Sequence, residues 1–470
     1  MKGMLLYNIY RTLTYSVSPL VYLHLRWRKF RGLGHPRRWP ERLGHPSVAR
    51  PTGPLLWFHA VSLGEGMAAI PVIKHCHRLR PDLTILMTTT TYSALCEFVH
   101  VKMGKMQGNV GRGCKRCTIW MGGCSAQKSK MLLGVVILLI FCPLDTPAAI
   151  DAFLGYWKPN AIIIIESELW PNLIMGASKH GIALALLNAR VSTKSSIQWS
   201  RPLLLPLISL LLSKFSLIVP LSTSQAICFQ LLQAPPSIIN FSGDLKYAVH
   251  EYDDSEEYMG TIEDLKGLLD NRQVWMASSI HRGEEKVMLE VHKGLVRMIP
   301  NIVTIIVPRH PQHGKEIAHE LQKEGQIVAL RSRHEMLTPR TNVYVVDTLG
   351  ELRQLYRITP IAVIGGSFLP SLAGHNISEA AAAGCAVLTG HHIGHYSNMV
   401  LEMQRVNPMS VFQVSGKLEL EEALKELFSD ARLLEARRVA AKQAFCALSS
   451  GIIANVWNLL NFHIFRQALD

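Results

Sequence analysis

The stretch Ile162–Asn172, IIIIESELWPN, decides the fold. Four consecutive isoleucines leave no polar face, so they read as a strand covered on both sides, as in a parallel sheet flanked by helices. Glu166 and Glu168 follow at the carboxyl end of that strand. Pro171 suits the first turn of a helix, where a missing N–H is no loss. Open α/β sheets bind their ligands at the carboxyl ends of the strands, so this pair of acids is placed for chemistry. Glu168 also has a plainer reading, as a cap on the helix that follows.

Outward from this stretch, strands and helices alternate. LLWFHAVS (55–62) reads as a strand, with a helix from Gly66 to Arg80; LTILMTTTT, VVILLIF (135–141), IALALLNA (182–189), SLIVPLS (216–222) and IINFSGDLKY (238–247) complete a first series. A second series runs through VWMASS (274–279), IVTIIVPRH, QIVALRS, NVYVVDT, IAVIGGS and CAVLTG. Such alternation predicts parallel sheets with right-handed crossovers. The polar run 249–272 separates the two series. The expected architecture is therefore two doubly wound parallel-sheet domains, 41–248 and 249–470, facing across a cleft.

Charge is unevenly placed. The net charge is +14, yet residues 1–40 hold eight bases without an acid, and residues 98–144 hold seven bases without an acid. Those fifteen account for the whole excess, so the rest of the chain is near neutral. A nucleic-acid binder would carry its basic stripe on the folded core, and that class is set aside. Nine cysteines scattered over 470 residues are not a secreted disulfide framework.

Residues 1–40 are apolar and basic, with Arg11 and Pro19 interrupting the apolar run and RWRKFR following it. A helix lying in a membrane interface fits this pattern better than a spanning one. A mitochondrial targeting segment and a buried core helix are the other readings. Residues 101–130 have no apolar periodicity and are expected to form a disordered surface insertion. Cys114, Cys117 and Cys124 offer three thiols there, one ligand short of a closed zinc site, with His100 the only nearby fourth. No metal is expected.

Several strand ends carry residues suited to anions and sugars. Ser62–Gly66, SLGEG, opens a helix whose N-terminus favours anions, and Glu65 lies in it either as a reactive acid or as a first-turn stabiliser. VPRHP places Arg309, a bidentate phosphate clamp, at a strand end. DTLGE (347–351) ends another strand. GHNISE (374–379) opens a helix, where Asn376 and Glu379 also match a capping box. Three such contacts in one domain suggest a nucleotide held by the C-terminal half. No GxGxxG after a strand, Walker A, GxSxG or HExxH motif is present.

In order, HAVSLGE, IESELWPNL, LLNARVS, SGDLKY, SSIHRGEE, VPRHP, DTLGEL and GHNISEAAAAG closely resemble the 3-deoxy-D-manno-octulosonic acid (Kdo) transferases of lipid A assembly, in their plant form. RRWPERLG resembles the motif that follows the family's membrane segment. The resemblance implies a GT-B glycosyltransferase with CMP-Kdo as donor and a tetra-acylated lipid A precursor as acceptor. It implies membrane association, a mitochondrial location by the plant likeness (or the cytoplasmic face of a bacterial inner membrane), no cofactor and no metal in the transfer. Glu65 matches the family's catalytic base. Glu166 and Lys246 match positions assigned to transition-state stabilisation. Pro308 and Arg309, then Leu349, Gly350 and Glu351, then Asn376, Ile377, Ser378 and Glu379 match three contacts to CMP. Asn-Ile-Ser-Glu stands where Asn-Pro-Leu-Glu is usual. Two alternatives stay open: a catalytically impaired isoform caused by the 101–130 insertion, and a GT-B enzyme using another nucleotide sugar.

Overall fold

A computed structural model describes residues 2–31, 37–90, 130–132, 135–248 and 265–466. The insertion through residue 129, its three cysteines and most of the polar run after residue 248 lie outside the described residues. The chain divides into two units, Met1–Glu251 with Gly451–Asp470, and Tyr252–Ser450.

The first unit holds a seven-stranded sheet. In chain order its strands are β1 (Leu55–His59), β2 (Thr84–Thr89), β3 (Lys130–Leu132), β4 (Val135–Phe141), β5 (Ala161–Ile165), β6 (Ala183–Ala189) and β7 (Leu217–Pro220), and in space they run β3-β4-β2-β1-β5-β6-β7. All pairings are parallel except β3 with β4. β1 and β5 are buried along their whole length, as the isoleucine run requires. The antiparallel edge strand β3 is a departure from the expectation that Lys130 belongs to unstructured chain.

A second departure concerns 238–247, read above as a strand. Only Ile239 bridges to Ile218; a 3-10 turn at Pro236–Ile238 precedes it, and Gly243 has φ 97°. The prolines and the left-handed glycine take the backbone off the ladder, leaving 244–247 as a turn.

The second unit repeats the plan with β8 (Gln273–Ile280), β9 (Ile302–Pro308), β10 (Val328–Leu330), β11 (Val343–Val345), β12 (Ile361–Ile364), β13 (Ala386–Thr389) and β14 (Val411–Gln413). Their spatial order is β10-β11-β9-β8-β12-β13-β14, all parallel. Both sheets therefore reverse direction of growth beside their first strand: between β1 and β5 in one, between β8 and β12 in the other. These switch points are where doubly wound sheets open a crevice for ligands.

Residues 451–470 correct the expected boundary, which ran the second domain to the C-terminus. The helix Ile452–Leu460 packs in the first unit because Gly243, lacking a Cβ, admits Ile452, and Trp457 stacks edge-on with His75. The RRWPERLG motif is also structural. Arg38 forms a two-point pair with Glu41, which also accepts from the backbone N–H of Phe141 at 2.7 Å and from the Ser47 hydroxyl, while Arg38 donates to the carbonyl of Leu139. The motif thereby fastens itself to β4.

The first segment is a helix, Lys2–Phe30, long enough to span a membrane but without the apolarity of a span. It docks through Gly3, whose missing Cβ lets it approach the backbone of Pro206, and through Tyr10, which donates to Asp145 at 3.0 Å. Leu5, Ile9, Leu13, Leu20, Leu23 and Trp27 stay exposed. Among the described residues, one run, Ala431–Phe465, has the length and composition to cross a membrane. It is interrupted at Gly451 (φ 75°) and buries Ala440, Ala441, Ala444 and Ile452.

Candidate active site

The first unit gathers its acids at the β1/β5 switch point. Ser62 begins the helix Leu63–Leu79 with a complete capping box: its hydroxyl accepts from the Glu65 N–H, and the Glu65 carboxylate accepts from the N–H groups of Val61 (2.7 Å) and Ser62 (3.4 Å). The first-turn role foreseen for Glu65 is thus realised. Burial raises the Glu65 pKa, and the negative charges of Glu166 and Glu168 raise it further, against the Val61 hydrogen bond that lowers it. Capping fixes where the carboxyl sits; burial and like charge make it a better proton acceptor.

Glu166 follows β5 in the left-handed region, φ 66°, a conformation that costs a non-glycine residue about 1–3 kcal/mol and needs its surroundings to hold it. What holds it is a cation cluster. Lys246 Nζ lies 2.7 Å from one carboxylate oxygen and Arg190 3.8 Å from the other, with Glu166 itself buried. Both cations come from motifs distant in sequence. Asn188 interrupts β6 at a register shift with φ 54°; it donates to Asp244 at 3.0 Å and accepts from the N–H of Leu245 at 3.0 Å. Asp244 also accepts from the N–H of Lys246. LLNAR and SGDLKY therefore lock together and aim Arg190 and Lys246 at Glu166. Burial raises the Asp244 pKa, with Lys246 opposing.

Glu168 does not cap the next helix, which corrects the simpler reading. The helix Pro171–Lys179 receives Asp145 instead, whose carboxylate accepts from the N–H groups of Asn172 and Leu173. Glu168 accepts from the indole of Trp170 at 2.6 Å, and burial raises its pKa. Trp170 in turn meets His59 edge-on, centroids 5.0 Å apart. His59 is fully buried, bonded to Thr88 through Nδ1, and burial lowers its pKa to about 4.

In the second unit the matching residues lie at the strand ends around β8. Pro308 is the buried last residue of β9, and Arg309 emerges exposed beyond it, its N–H bonded to the carbonyl of Ile280. Leu349 is exposed and Gly350 has φ 89°, a turn that favours glycine. Glu351 is held by Arg331, 2.6 Å at the closest contact, and by Thr348. Asn376 accepts from the Ser378 N–H at 2.9 Å. The capping box expected of Asn376 and Glu379 does not form, because Glu379 pairs with Arg353 at 3.2 Å. Ile377 and Ser378 are fully buried, and the Ser378 N–H is already taken by Asn376.

Sequence reasoning named Glu65, Glu166 and Lys246 and missed Arg190, Asn188 and Asp244. It also passed over Glu284, which is wholly buried and accepts from the N–H groups of His281, Gly366, Ser367 and Phe368. All of these sit in the quoted motifs, but nothing in the spacing tells which motif meets which.

A family model for 3-Deoxy-D-manno-octulosonic-acid transferase (kdotransferase) matches residues 37–104 and 118–249. The chain is 60% identical over 465 residues to an Arabidopsis thaliana protein described as a probable mitochondrial 3-deoxy-D-manno-octulosonic acid transferase, covering 99% of this chain and 97% of that one. It is 28% identical over 404 residues to the 3-deoxy-D-manno-octulosonic acid transferase of Haemophilus influenzae, covering 84% and 86%. In fold it is similar to UDP-GlcNAc 2-epimerase from Neisseria meningitidis (TM-score 0.54, 12% identity, 87% of this chain and 100% of that one) and to a glycosyltransferase from Rickettsia africae (TM-score 0.53, 12% identity, 87% and 99%). Paired parallel-sheet units of this kind are the GT-B fold. The chain belongs to the 3-deoxy-D-manno-octulosonic acid (Kdo) transferase family of glycosyltransferases.

Proposed function

We propose that this transferase moves Kdo from CMP-Kdo to a lipid A precursor, with Glu65 as general base and side-chain cations in the place a metal would take. The observation that carries the reading is the acid–cation cluster at the β1/β5 switch point: Glu65 within electrostatic reach of Glu166, with Lys246 and Arg190 on Glu166. A sugar hydroxyl is a weak nucleophile at neutral pH and needs a carboxylate to take its proton as the new bond forms. Glu65, with its raised pKa, serves that purpose. Lys246, fixed by the Asp244 turn, stabilises the negative charge that develops on the departing phosphate. In the second unit Arg309 binds the phosphate, and Asn376, Glu379, Leu349, Gly350 and Glu351 hold ribose or cytosine, with the buried Ile377 and Ser378 fixing the turn between Asn376 and Glu379.

The acceptor is an acylated amphiphile. The exposed apolar stripe of the Lys2–Phe30 helix, with Arg26, Arg28, Lys29 and Arg31 at its end, suits a bilayer surface. The likeness to a mitochondrial plant protein favours that organelle's membrane. The test is transfer from CMP-Kdo to a tetra-acylated lipid A precursor in the presence of a chelator. Undiminished transfer supports the reading; a requirement for added divalent cation, or transfer from a UDP-sugar in preference, overturns it.

A further inference from the structure

The N-terminal helix meets the acidic turn of the first unit through two polar side chains. Tyr10 and Thr14 stand one turn apart on the Lys2–Phe30 helix and so share a face. Tyr10 donates to a carboxylate oxygen of Asp145 at 3.0 Å. Thr14 Oγ1 accepts from Asn172 Nδ2 at 3.0 Å, while its own proton goes back to the carbonyl of Tyr10 at 2.9 Å. The Asn172 amide cannot be turned round, because Nδ2 also faces the carbonyl of Asp145 at 2.6 Å, and a carbonyl only accepts.

These contacts converge on Asp145, in the loop between β4 and the helix Pro147–Trp157. The oxygen that takes Tyr10 also takes the N–H of Asn172 at 3.1 Å, and the other takes the N–H of Leu173 at 2.8 Å. Both N–H groups belong to the first turn of Pro171–Lys179 and have no partner within that helix. One carboxylate thus caps the helix and ties the N-terminal helix to its start. All of these residues lie in the first unit.

The capped helix begins where the acidic turn ends. Glu166 is pinned at the start of that turn by Lys246 and by its own N–H, which donates to the carbonyl of Leu187 at 2.9 Å. Asn172 is pinned at the end by Asp145. Between the two pins the Glu168 carboxylate has one hydrogen bond among the described residues, from the Trp170 indole at 2.6 Å. Trp170 is the residue that directly precedes the helix. Where Glu168 and Trp170 stand therefore depends on where the helix begins.

We propose that Tyr10 and Thr14 are positioning residues for the transfer: through Asp145 and Asn172 they set the turn that carries Glu166, Glu168 and Trp170. The N-terminal helix is then part of the working site as well as a membrane contact. Gly3, Tyr7 and Leu25 are its buried residues, and apolar contact of that kind has no direction. The two hydrogen bonds are directional, so they fix the rotation and register in which the helix sits.

The inference rests on the reading of the Glu166 turn as catalytic, and the experiment separates the two. Transfer from CMP-Kdo to a tetra-acylated lipid A precursor is measured in detergent micelles, where recruitment to a bilayer does not limit, with kcat referred to folded protein. Tyr10→Phe removes the O–H and keeps the ring; Thr14→Val removes the acceptor and keeps the shape. The double variant should lose about ten- to a hundredfold in kcat, the scale of a small misplacement of reacting groups. Its KM for CMP-Kdo and its partitioning onto vesicles should match the native protein. Thr14→Ser, which keeps the hydroxyl, should hold native kcat where Thr14→Val does not. Native kcat in the double variant overturns the inference and leaves the catalytic reading standing. So does a change confined to KM or to vesicle binding, or an equal fall in Thr14→Ser and Thr14→Val. No transfer by the native protein overturns both.

Discussion

Glu65 is the residue on which the chemistry depends. Glu65→Gln keeps the cap acceptor for Val61 but removes the proton acceptor. Turnover is expected to fall by about 10²–10⁴ with the unfolding midpoint little changed. Because burial raises the Glu65 pKa, the base form appears at higher pH than for an ordinary glutamate. The kcat/KM profile should therefore rise through an acid limb displaced upward, and the limb should vanish in the variant; near-normal turnover removes Glu65 from the mechanism. Lys246→Met leaves Glu166 buried with Arg190 alone at 3.8 Å. Removing one partner of a buried pair costs about 3–5 kcal/mol, and Arg190 should hold the loss to the lower end, read by denaturant unfolding. A loss within experimental error would mean that the pair does not hold the Glu166 turn. Arg309→Ala should weaken CMP by about 1.5–3 kcal/mol, roughly ten- to a hundredfold, and Arg309→Lys should restore only part, since a point charge lacks the fork. Equal affinity in all three proteins would make VPRHP a strand end and nothing more.

At the scale of elements, the buried strands were legible because their composition allows no other reading. The isoleucines of β5 and the IVTIIV run of β9 need cover on both faces wherever they sit. Short or polar elements were not. β14 is three residues long, and β3 follows a stretch whose residues show no period. The segment 238–247 looks like a strand because its hydrophobic residues cluster; its backbone is instead turned by Gly243 and captured by Asn188. Glu168 shows the same limit at a helix start: the local cap was plausible, and Asp145, more than twenty residues earlier, took the N–H groups. Cross-chain pairs such as Arg190 with Glu166 leave no trace in spacing, so the site was legible as a set of motifs and illegible as a set of contacts. The N-terminal helix carries a prediction of its own. Leu13 and Leu20 are 60% and 65% exposed on it. Replacing both with glutamate should remove about 3 kcal/mol of membrane affinity, on the order of a hundredfold in partitioning onto anionic vesicles. Unchanged vesicle binding would assign the stripe to some other contact.

For the whole molecule, two sheets of the same strand order each place polar side chains at the switch beside their first strand. One carries acids held by cations; the other carries an exposed arginine among histidines. That division suits a two-substrate transfer in which a hydroxyl must lose a proton and a phosphate must gain charge. The most direct measurement is transfer by the full-length chain, residues 101–130 included, from CMP-Kdo to a tetra-acylated lipid A precursor, with Glu65→Gln and UDP-sugar donors run in parallel. The account predicts a Kdo-bearing lipid product from CMP-Kdo alone, reduced by about 10²–10⁴ in Glu65→Gln. No product from the folded native chain, or an equal yield from the variant, would contradict it.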